Sequence, residues 1–330
     1  MNAGYAFLAV AVLIGAAWAG VSGAGLQGTF GILIPYLALL TFILGMIHRV
    51  LKWARAPVPF RIPTTCGQQK SLPWIKSSPL ESPHTTAGVL GRMALEILVF
   101  RSLFRNTKLG LKDQKLYYGD NQFLWLGALA FHYSFLIILL RHFRFFTEPA
   151  APFVSLLQSA DGFFQIGVPE LYLTDAIIVL ALGYLFFRRV VSPQLRYISL
   201  PSDYFALFLL LAIAGSGILM RYFFKVDLKS VKELTLGLAT LNPSLPQGVG
   251  AIFYVHLFLV SALLAYFPFS KLVHMAGVFL SPTRNLANNN RMVRHVNPWD
   301  YPVKVHTYEE WEDDFREKMK AAGLPLEKDS

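Results

Sequence analysis

Long apolar stretches without charged side chains dominate this chain of 330 residues. No Asp, Glu, Lys or Arg occurs before Arg49. A helix needs about 20 apolar residues to cross a bilayer, and only helices or closed barrels satisfy all their backbone hydrogen bonds there. Because 54% of the residues are hydrophobic and the mean hydropathy is +0.45, the chain is predicted to be all-α, a polytopic membrane helical bundle.

Six segments are long and apolar enough to be predicted as transmembrane helices. The turn between the first two consists of small residues. The sixth is the longest and contains Pro268, which is expected to kink or break it. The predicted spans are residues 5–24, 29–51, 121–143, 171–191, 203–224 and 249–279.

These spans divide the chain into four regions. The long segment after the second span includes an apolar stretch, 92–105, that carries Arg92, Glu96 and Arg101. This stretch is too short and too charged to cross the membrane, so we predict an interfacial helix or one that packs on a partner. The regions are 1–51 with two transmembrane helices, 52–117 as a basic cytoplasmic loop, 118–280 as a four-helix core and 281–330 as a cytoplasmic tail.

The positive charge of the chain is concentrated beside the apolar spans. Lys and Arg number 30 against 20 Asp and Glu, and segment 49–117 holds twelve of the basic residues against three acids. Such clustering indicates cytoplasmic loops rather than a nucleic-acid surface. We therefore expect an inner-membrane protein with both termini in the cytoplasm, and loops 144–170 and 221–248 outside.

A single cysteine, Cys66, limits the redox chemistry open to the chain. It cannot form an internal disulfide, a c-type haem attachment, an iron–sulfur cluster or a cysteine-based zinc site. Any haem must therefore be non-covalent and held by histidine. We interpret Cys66 as a bystander thiol, with a contact to a partner's redox centre as the alternative.

Four histidines lie in the third and sixth predicted spans. His132 and His142 are ten residues apart, and His256 and His274 are eighteen apart. Antiparallel directions pair His142 with His256 near the outer face, and His132 with His274 nearer the cytoplasm. The offsets correspond to about 15 Å and about 27 Å of straight helix, a mismatch that a break at Pro268 would reduce.

Two histidines per site indicate a haem rather than zinc, because zinc takes three or four protein ligands whereas a haem needs only axial ones. We predict two haem b groups. His142 and His256 are expected to ligate the outer iron, and His132 and His274 the inner iron. Four unrelated polar packing residues are the alternative interpretation. No ligand role is expected for the remaining histidines, His48, His84, His295 and His306.

Basic and small residues near these histidines are candidates for supporting roles. The cations either bind haem propionates or set the topology, and the glycines either admit a porphyrin or serve helix packing. The cations are Arg188, Arg189 and Lys271 inside and Arg141, Arg144 and Arg221 outside; the glycines are Gly183, Gly215 and Gly217.

A membrane electron carrier also needs a lipid-soluble donor or acceptor. We place a quinol site beside the outer haem, with His142, Arg144 and Arg221 as its candidate catalytic residues. Tyr222, Glu148 and Asp161 are candidate proton acceptors.

The histidine spacing resembles the dihaem cytochrome b subunit of respiratory nitrate reductase, the gamma subunit, over about residues 120–280. The stretch Phe269–His274 is similar to that family's final ligand motif. The resemblance implies two haem b groups ligated by the same four histidines. The chain departs from that family in its six spans, its longer cytoplasmic loop and its tail, so the docking surface of nitrate reductase is not carried over.

Six further motifs occur along the chain: PFRIPTTCGQQKSLPWIK (59–76), FRSLFRN (100–106), RHFRFFTEP (141–149), PQLRYISL (193–200), GILMRYF (217–223) and WDYPVKVHTYEEWEDDF (299–315). They resemble the DsrM family, the membrane cytochromes b of the DsrMKJOP complexes of sulfate reducers and sulfur oxidisers. The resemblance implies menaquinone or menaquinol as a cofactor and a cytoplasmic DsrK-like iron–sulfur partner. It also implies the neighbours DsrJ, DsrO and DsrP and, indirectly, DsrC.

Three alternatives remain open from the sequence. Related haem-containing subunits of the Hme, Tmc or heterodisulfide reductase type share much of this pattern. A haem-free membrane anchor and a transporter with proton-relaying histidines are the other two. As an electron-transfer subunit, the chain would oxidise menaquinol only as part of an oxidoreductase complex.

Overall fold

The computed structural model describes residues 2–58, 62, 67–165, 169–293, 302 and 304–328. Most of these residues are helical. The helices are α1 (Asn2–Ser22), α2 (Ile34–Ala54, after a π-helical turn at Thr29–Leu33), α3 (Thr86–Val99), α4 (Arg101–Phe104), α5 (Gln122–His142), α6 (Pro152–Asp161), α7 (Leu173–Val191), α8 (Pro193–Ile198), α9 (Pro201–Tyr222), α10 (Leu228–Ala239), α11 (Ala251–Tyr266), α12 (His274–Leu280), α13 (Pro282–Asn285) and α14 (Tyr308–Ala321). The strands form two antiparallel pairs, β1 (Thr107–Lys112) with β2 (Lys115–Asp120) and β3 (Gly162–Phe164) with β4 (Leu171–Tyr172).

Five of the six predicted spans are helices long and apolar enough to cross a membrane. The predicted fourth span is α7, a helix of 19 residues that carries Asp175, Arg188 and Arg189 near its ends. It packs along both α5 and α9 and so belongs to the same bundle. Its crossing of the membrane stays a prediction. The five helices that are long and apolar enough to cross a membrane are Asn2–Ser22, Thr29–Ala54, Gln122–Phe145, Pro201–Tyr222 and Ala251–Phe269.

The long helices form a membrane helical bundle, and the contacts between them show which helices are neighbours. Helix α5 packs on α7, α7 on α9 and α9 on α11, while α1 packs on α9 and α11, and α2 on α11. Its core includes Leu209 and Leu259, both fully buried. The outer faces are apolar and exposed, as at Leu8 (60%) and Leu44 (57%). A lipid bilayer covers such faces, which explains a large exposed apolar surface.

Long-range contacts show which helix ends lie together at each end of the bundle. Asn2 donates to the Ser199 carbonyl at 2.9 Å, so α1 and α9 begin at the same end. Tyr266 donates to the Ser202 carbonyl at 3.2 Å, so α11 ends near the start of α9. Arg49 donates to the Pro268 carbonyl at 3.1 Å, which places the end of α2 at this end too. We call this the Asn2 end. The opposite end, which holds the end of α5, is called the His142 end.

The loop after α2 differs from its prediction. A single interfacial helix over 92–105 was expected, whereas two helices form because Phe100 adopts a left-handed conformation with φ of 50° and separates α3 from α4. Helix α3 begins earlier, where the Thr85 side chain accepts from the Gly88 amide at 3.1 Å. The hairpin β1–β2 was not predicted.

Polar caps also begin helices α10 and α14. Asp227 accepts from the Ser230 amide at 3.0 Å at the start of α10. Hydrogen bonds from the Ser230 hydroxyl and amide hold the pKa of the Asp227 carboxyl below its ordinary value, so the cap remains ionised at neutral pH. Thr307 caps the amphipathic helix α14 by accepting from the Glu310 amide at 3.2 Å.

Candidate cofactor site between two histidine pairs

The four membrane histidines form two pairs between α5 and the α11–α12 segment, as the sequence predicts. The ring centres of His142 and His256 are 6.5 Å apart, with the rings inclined by only 13°. Those of His132 and His274 are 6.1 Å apart, with an inclination of 82°. The first pair lies at the His142 end and the second nearer the Asn2 end.

Both separations fit a metal placed between two axial imidazoles. A ligating imidazole nitrogen lies about 2 Å from its metal, and the ring centre lies about 1 Å behind it, so two opposed rings have centres about 6 Å apart. Among the described residues there is no cluster of three or more His, Cys, Asp or Glu that could hold a bare metal ion. The donor set therefore fits a haem, which brings its own four equatorial nitrogens.

The second ring nitrogen of every histidine in the two pairs has a hydrogen-bond acceptor. The Nδ1 atom of His132 lies 2.7 Å from the Ala128 carbonyl, and that of His142 lies 2.7 Å from the Ile138 carbonyl. Since a carbonyl oxygen can only accept, these contacts fix Nδ1 as the protonated nitrogen. The Nε2 lone pair is then left for a metal.

The other helix supplies different acceptors to the same nitrogen. His274 Nδ1 lies 2.9 Å from the Lys271 carbonyl. His256 Nδ1 lies 2.9 Å from Ser216 Oγ on α9, whose hydroxyl donates to the Ile213 carbonyl at 3.0 Å. Ser216 is a site residue that the sequence interpretation missed. It could have been found as a hydroxyl-bearing residue between two glycines in an otherwise apolar span.

A break interrupts the sixth span between its two histidines. Helix α11 ends at Tyr266, and a 3-10 turn contains Pro268. Ser270 is then extended, with φ of −110° and ψ of 177°, before the chain turns again and α12 starts at His274. The interruption predicted at Pro268 is confirmed, and both histidine pairs form despite the unequal offsets.

The space between the paired helices is suited to a flat group. Helices α5 and α11 do not pack along each other, although each packs on a neighbour within the bundle. A side chain at Gly217 would lie 3.5 Å from the ring of His256, whereas nothing lies within 4 Å of one at Gly215 or Gly183. Gly217 thus lies close to a predicted ligand, and the other two glycines border open space.

A buried ion-pair network lies beside His142. Arg141 is 7% exposed. Its guanidinium lies 3.2 Å from both the Asp161 and the Asp175 carboxylates, and it donates to the Thr174 hydroxyl at 3.1 Å. The Asp161 carboxylate also accepts from the Thr174 amide and hydroxyl, at 2.9 and 2.6 Å. Buried charges usually persist only when paired in this way.

Two arginines enclose Tyr172 in the same region. The guanidinium carbons of Arg141 and Arg221 lie 3.8 and 3.9 Å from the centre of its ring. Among the described residues neither Arg141 Nε nor Arg221 Nε has a hydrogen-bond partner, although both atoms are buried. Two orphaned donors beside His142 fit an anionic group such as a haem propionate.

The predicted quinol residues lie at the same end of the bundle but differ in their partners. Arg144 lies in the turn after α5 over the ring of Phe145 at 4.6 Å, and Arg221 donates to the Glu170 carbonyl at 2.8 Å. Of the candidate proton acceptors, Asp161 is held by Arg141, Glu148 pairs with Lys232, and the Tyr222 hydroxyl donates to Asp175 at 2.8 Å.

Two of the cations predicted for the cytoplasmic side have polar partners. Arg189 donates to the Ser199 hydroxyl at 3.1 Å, and Lys271 pairs with Asp203 at 2.7 Å. His48 and His306 are exposed, and His84 is half-buried. That none of them is a ligand stays a prediction. Cys66 and His295 lie outside the described residues.

A further residue that the sequence interpretation missed contacts the pair of His132 and His274. The Phe100 ring stands edge-on to the His132 ring, with centres 4.9 Å apart. Its position depends on α5, where Trp125 donates to the Val99 carbonyl at 2.7 Å and Tyr133 to the Leu98 carbonyl at 2.8 Å. No local sequence signal marks this long-range contact.

The amino-acid sequence matches a known protein family. The nitrate reductase gamma subunit family matches residues 89–296, more than half of the chain. The matched part includes all four paired histidines and leaves α1, α2 and α14 outside it.

Two relatives are similar over most of their length. The Hdr-like menaquinol oxidoreductase cytochrome b-like subunit of Archaeoglobus fulgidus is 49% identical over 278 residues, which cover 82% of this chain and 83% of the relative. The protein of the same description from Archaeoglobus profundus is 42% identical over 278 residues, 81% of each chain.

Proposed function

Because this chain belongs to the nitrate reductase gamma subunit family, we propose that it is a dihaem cytochrome b that exchanges electrons between menaquinol and a cytoplasmic iron–sulfur protein. At the coarser level it is a membrane cytochrome b-type electron-transfer subunit. One observation carries the finer proposal. Two histidine pairs have ring centres 6.1 and 6.5 Å apart, with the second nitrogen of every ring engaged.

Different residues of the chain would ligate, orient and hydrogen-bond the two haems. When bound, each haem supplies a one-electron redox centre. His142 and His256 would ligate one iron, and His132 and His274 the other. The Nδ1 acceptors keep each imidazole in the tautomer that ligation requires, and the buried Nε donors of Arg141 and Arg221 offer hydrogen bonds to propionates.

Menaquinol oxidation would take place at the His142 end. Each quinol releases two electrons, one at a time, and two protons. Arg144 and Arg221 are the cations available to orient a quinol oxygen there. The Tyr222 hydroxyl already donates to Asp175. It would relay the first proton by passing its own proton to that carboxylate as it takes one from the quinol. Release of protons at this end and transfer of electrons to the other would separate charge across the membrane.

For the partners, we propose the DsrM family. The expected cytoplasmic partner is then a DsrK-like iron–sulfur protein, with DsrJ, DsrO and DsrP in the complex and DsrC as the indirect acceptor in dissimilatory sulfur metabolism. The relatives' description as Hdr-like menaquinol oxidoreductase subunits supports a partner related to heterodisulfide reductase. Subunits of the Hme, Tmc and heterodisulfide reductase types are the competing assignment.

A haem determination on the purified chain tests the proposal. We expect two b-type haems per chain in a pyridine haemochrome assay, and reduction of both by a menaquinol analogue. His48→Ala is the matched control and should retain both haems. A chain without haem would instead support a membrane anchor or a proton-relaying transporter. Mass spectrometry of the complex isolated through a tag on this chain identifies the iron–sulfur partner and separates the Dsr, Hme and Tmc assignments.

A further inference from the structure

The chain between α11 and α12 carries the acceptor for His274, and it is not a continuous α-helix. Between Tyr266 and His274 it forms two 3-10 turns separated by Ser270, whose backbone is extended. We call residues 267–273 the break. The Lys271 carbonyl accepts from the His274 amide and, at 2.9 Å, from its Nδ1 atom. Because the break is not a regular α-helix, the direction of this carbonyl depends on what holds the break in place.

The two paired histidines on α5 have acceptors of a different kind. Their Nδ1 atoms donate to the carbonyls of Ala128 and Ile138, which lie one turn earlier in the same helix. A helix holds such carbonyls in place through its own backbone hydrogen bonds. The Lys271 carbonyl lies outside a regular α-helix, so its orientation toward His274 requires contacts from elsewhere in the fold.

An ion pair with Asp203 holds the side chain of the same lysine. The Lys271 ammonium lies 2.7 Å from Oδ1 of Asp203, in the first turn of α9. The other carboxylate oxygen, Oδ2, accepts from the Leu200 amide at 3.0 Å and so caps α9. The Asp203 side chain is only 6% exposed, and its buried charge has both a cation and a backbone donor. One carboxylate therefore joins the start of α9 to the break.

Other polar contacts hold the break at different points. Arg49 of α2 donates to the Pro268 carbonyl at 3.1 Å, and the Ser270 hydroxyl bonds to neighbouring backbone groups within the break. Neither of these contacts involves Lys271. Among the described residues, the pair with Asp203 is thus the polar contact that ties Lys271 itself to another helix.

We propose that Asp203 is a positioning residue for the site between His132 and His274. Through Lys271 it holds the carbonyl that orients the His274 imidazole. The proposal rests on the proposed function, because it concerns a ligand of the haem at that site. A ring that donates firmly from Nδ1 is a more basic ligand through Nε2. A more basic ligand favours ferric iron, so the ion pair should keep the midpoint potential of this haem low.

The exposure of Lys271 separates this role from a direct effect of its charge. Its side chain is 76% exposed, and the field of an exposed charge is strongly screened. Removal of the ammonium would lower the midpoint potential slightly if only the charge mattered, since a nearby positive charge favours ferrous iron. Loss of the hold on the carbonyl would raise the potential instead. The direction of the shift therefore identifies the role.

The test measures haem content and midpoint potentials of the full chain by spectroelectrochemical titration. The haem concerned is identified by the spectrum that His132→Ala lacks. Lys271→Met should raise the potential of this haem and weaken its binding about ten-fold, with the other haem unchanged. Asp203→Asn keeps an oxygen for the Leu200 amide and should give the same two effects. Lys271→Arg retains a cation for Asp203 and should restore most of the wild-type potential.

Matched controls make the same changes at the His142 end of the bundle. Asp227→Asn alters the carboxylate that caps α10, and Lys232→Met removes the lysine that pairs with Glu148. Neither control should shift the potential of the haem concerned. The double variant D203N/K271M should bind this haem no more weakly than Lys271→Met alone, because the carboxylate acts through the lysine.

The outcomes separate this proposal from the one on which it rests. Absence of both haems from the wild-type chain would end the proposed function itself. With both haems present, a lower potential in Lys271→Met would overturn only the positioning role, since the lysine would then act as a direct charge, for instance on a haem propionate. An unchanged potential in Lys271→Met would also overturn it, because Asp203 would then only cap α9.

Discussion

The Ser216 hydroxyl on α9 lies 2.9 Å from Nδ1 of His256 on α11. The other three histidines of the two pairs have backbone carbonyls as Nδ1 acceptors, whereas His256 has this side-chain hydroxyl and, in addition, the Ile213 carbonyl nearby. A substitution can remove the hydroxyl without moving the backbone. A substitution of Ser216 therefore tests the pair of His142 and His256 directly.

Replacing Ser216 by alanine should weaken the outer site selectively. Loss of an orienting hydrogen bond to a ligating histidine typically lowers metal affinity by about 10–100-fold. We expect partial loss of one haem and an altered midpoint potential for that haem, measured by spectroelectrochemical titration. Ser261→Ala removes a hydroxyl of equal size that bonds to the Leu257 carbonyl on α11, and it should leave both potentials unchanged. Equal effects in both variants would contradict the assignment.

The pairing of the histidines predicts two classes of haem loss. His142→Ala and His256→Ala should remove the same haem, and the double variant should lose no more than either single one. His132→Ala and His274→Ala should remove the other haem. Low-temperature absorption spectra distinguish the two groups. If His142→Ala and His132→Ala gave the same residual spectrum, the pairing would be wrong.

Gly45 on α2 supports the break that positions His274. A Cβ atom at this residue would lie 2.7 Å from the Pro268 ring. Gly45→Leu should therefore force α2 away from the break at a cost of about 1–3 kcal/mol, and it should reduce occupancy of the inner haem more than the outer one. Gly15→Leu, on α1 where nothing lies within 4 Å, is the control. Haem content and thermal stability in detergent are the measurements.

Arg141 should be the most sensitive charge at the His142 end. Arg141→Met leaves the Asp161 and Asp175 carboxylates buried without their cation, and removal of one partner from a buried network costs about 3–5 kcal/mol. We expect a marked fall in the melting temperature. The triple variant R141M/D161N/D175N removes the stranded charges and should regain much of the loss. A triple variant less stable than R141M alone would show that the network acts through contacts other than charge.

The sequence by itself determined the class of fold and the identity of the paired histidines. Uncharged apolar stretches can bury their backbone in lipid only as helices, and a proline within the last span must interrupt it. Both arguments depend on local composition, which a sequence displays directly. The same reasoning missed the bend at Phe100 and the hairpin that follows it, because polar loop segments carry weak periodicity.

Only the tertiary structure decided how the candidate site is completed. The acceptor for His256 comes from Ser216, 40 residues away, and the cation for Asp161 comes from Arg141. The contact of Phe100 with His132 likewise joins separate segments. Such contacts depend on how helices rotate and pack against one another, and no local pattern of residue types specifies that rotation.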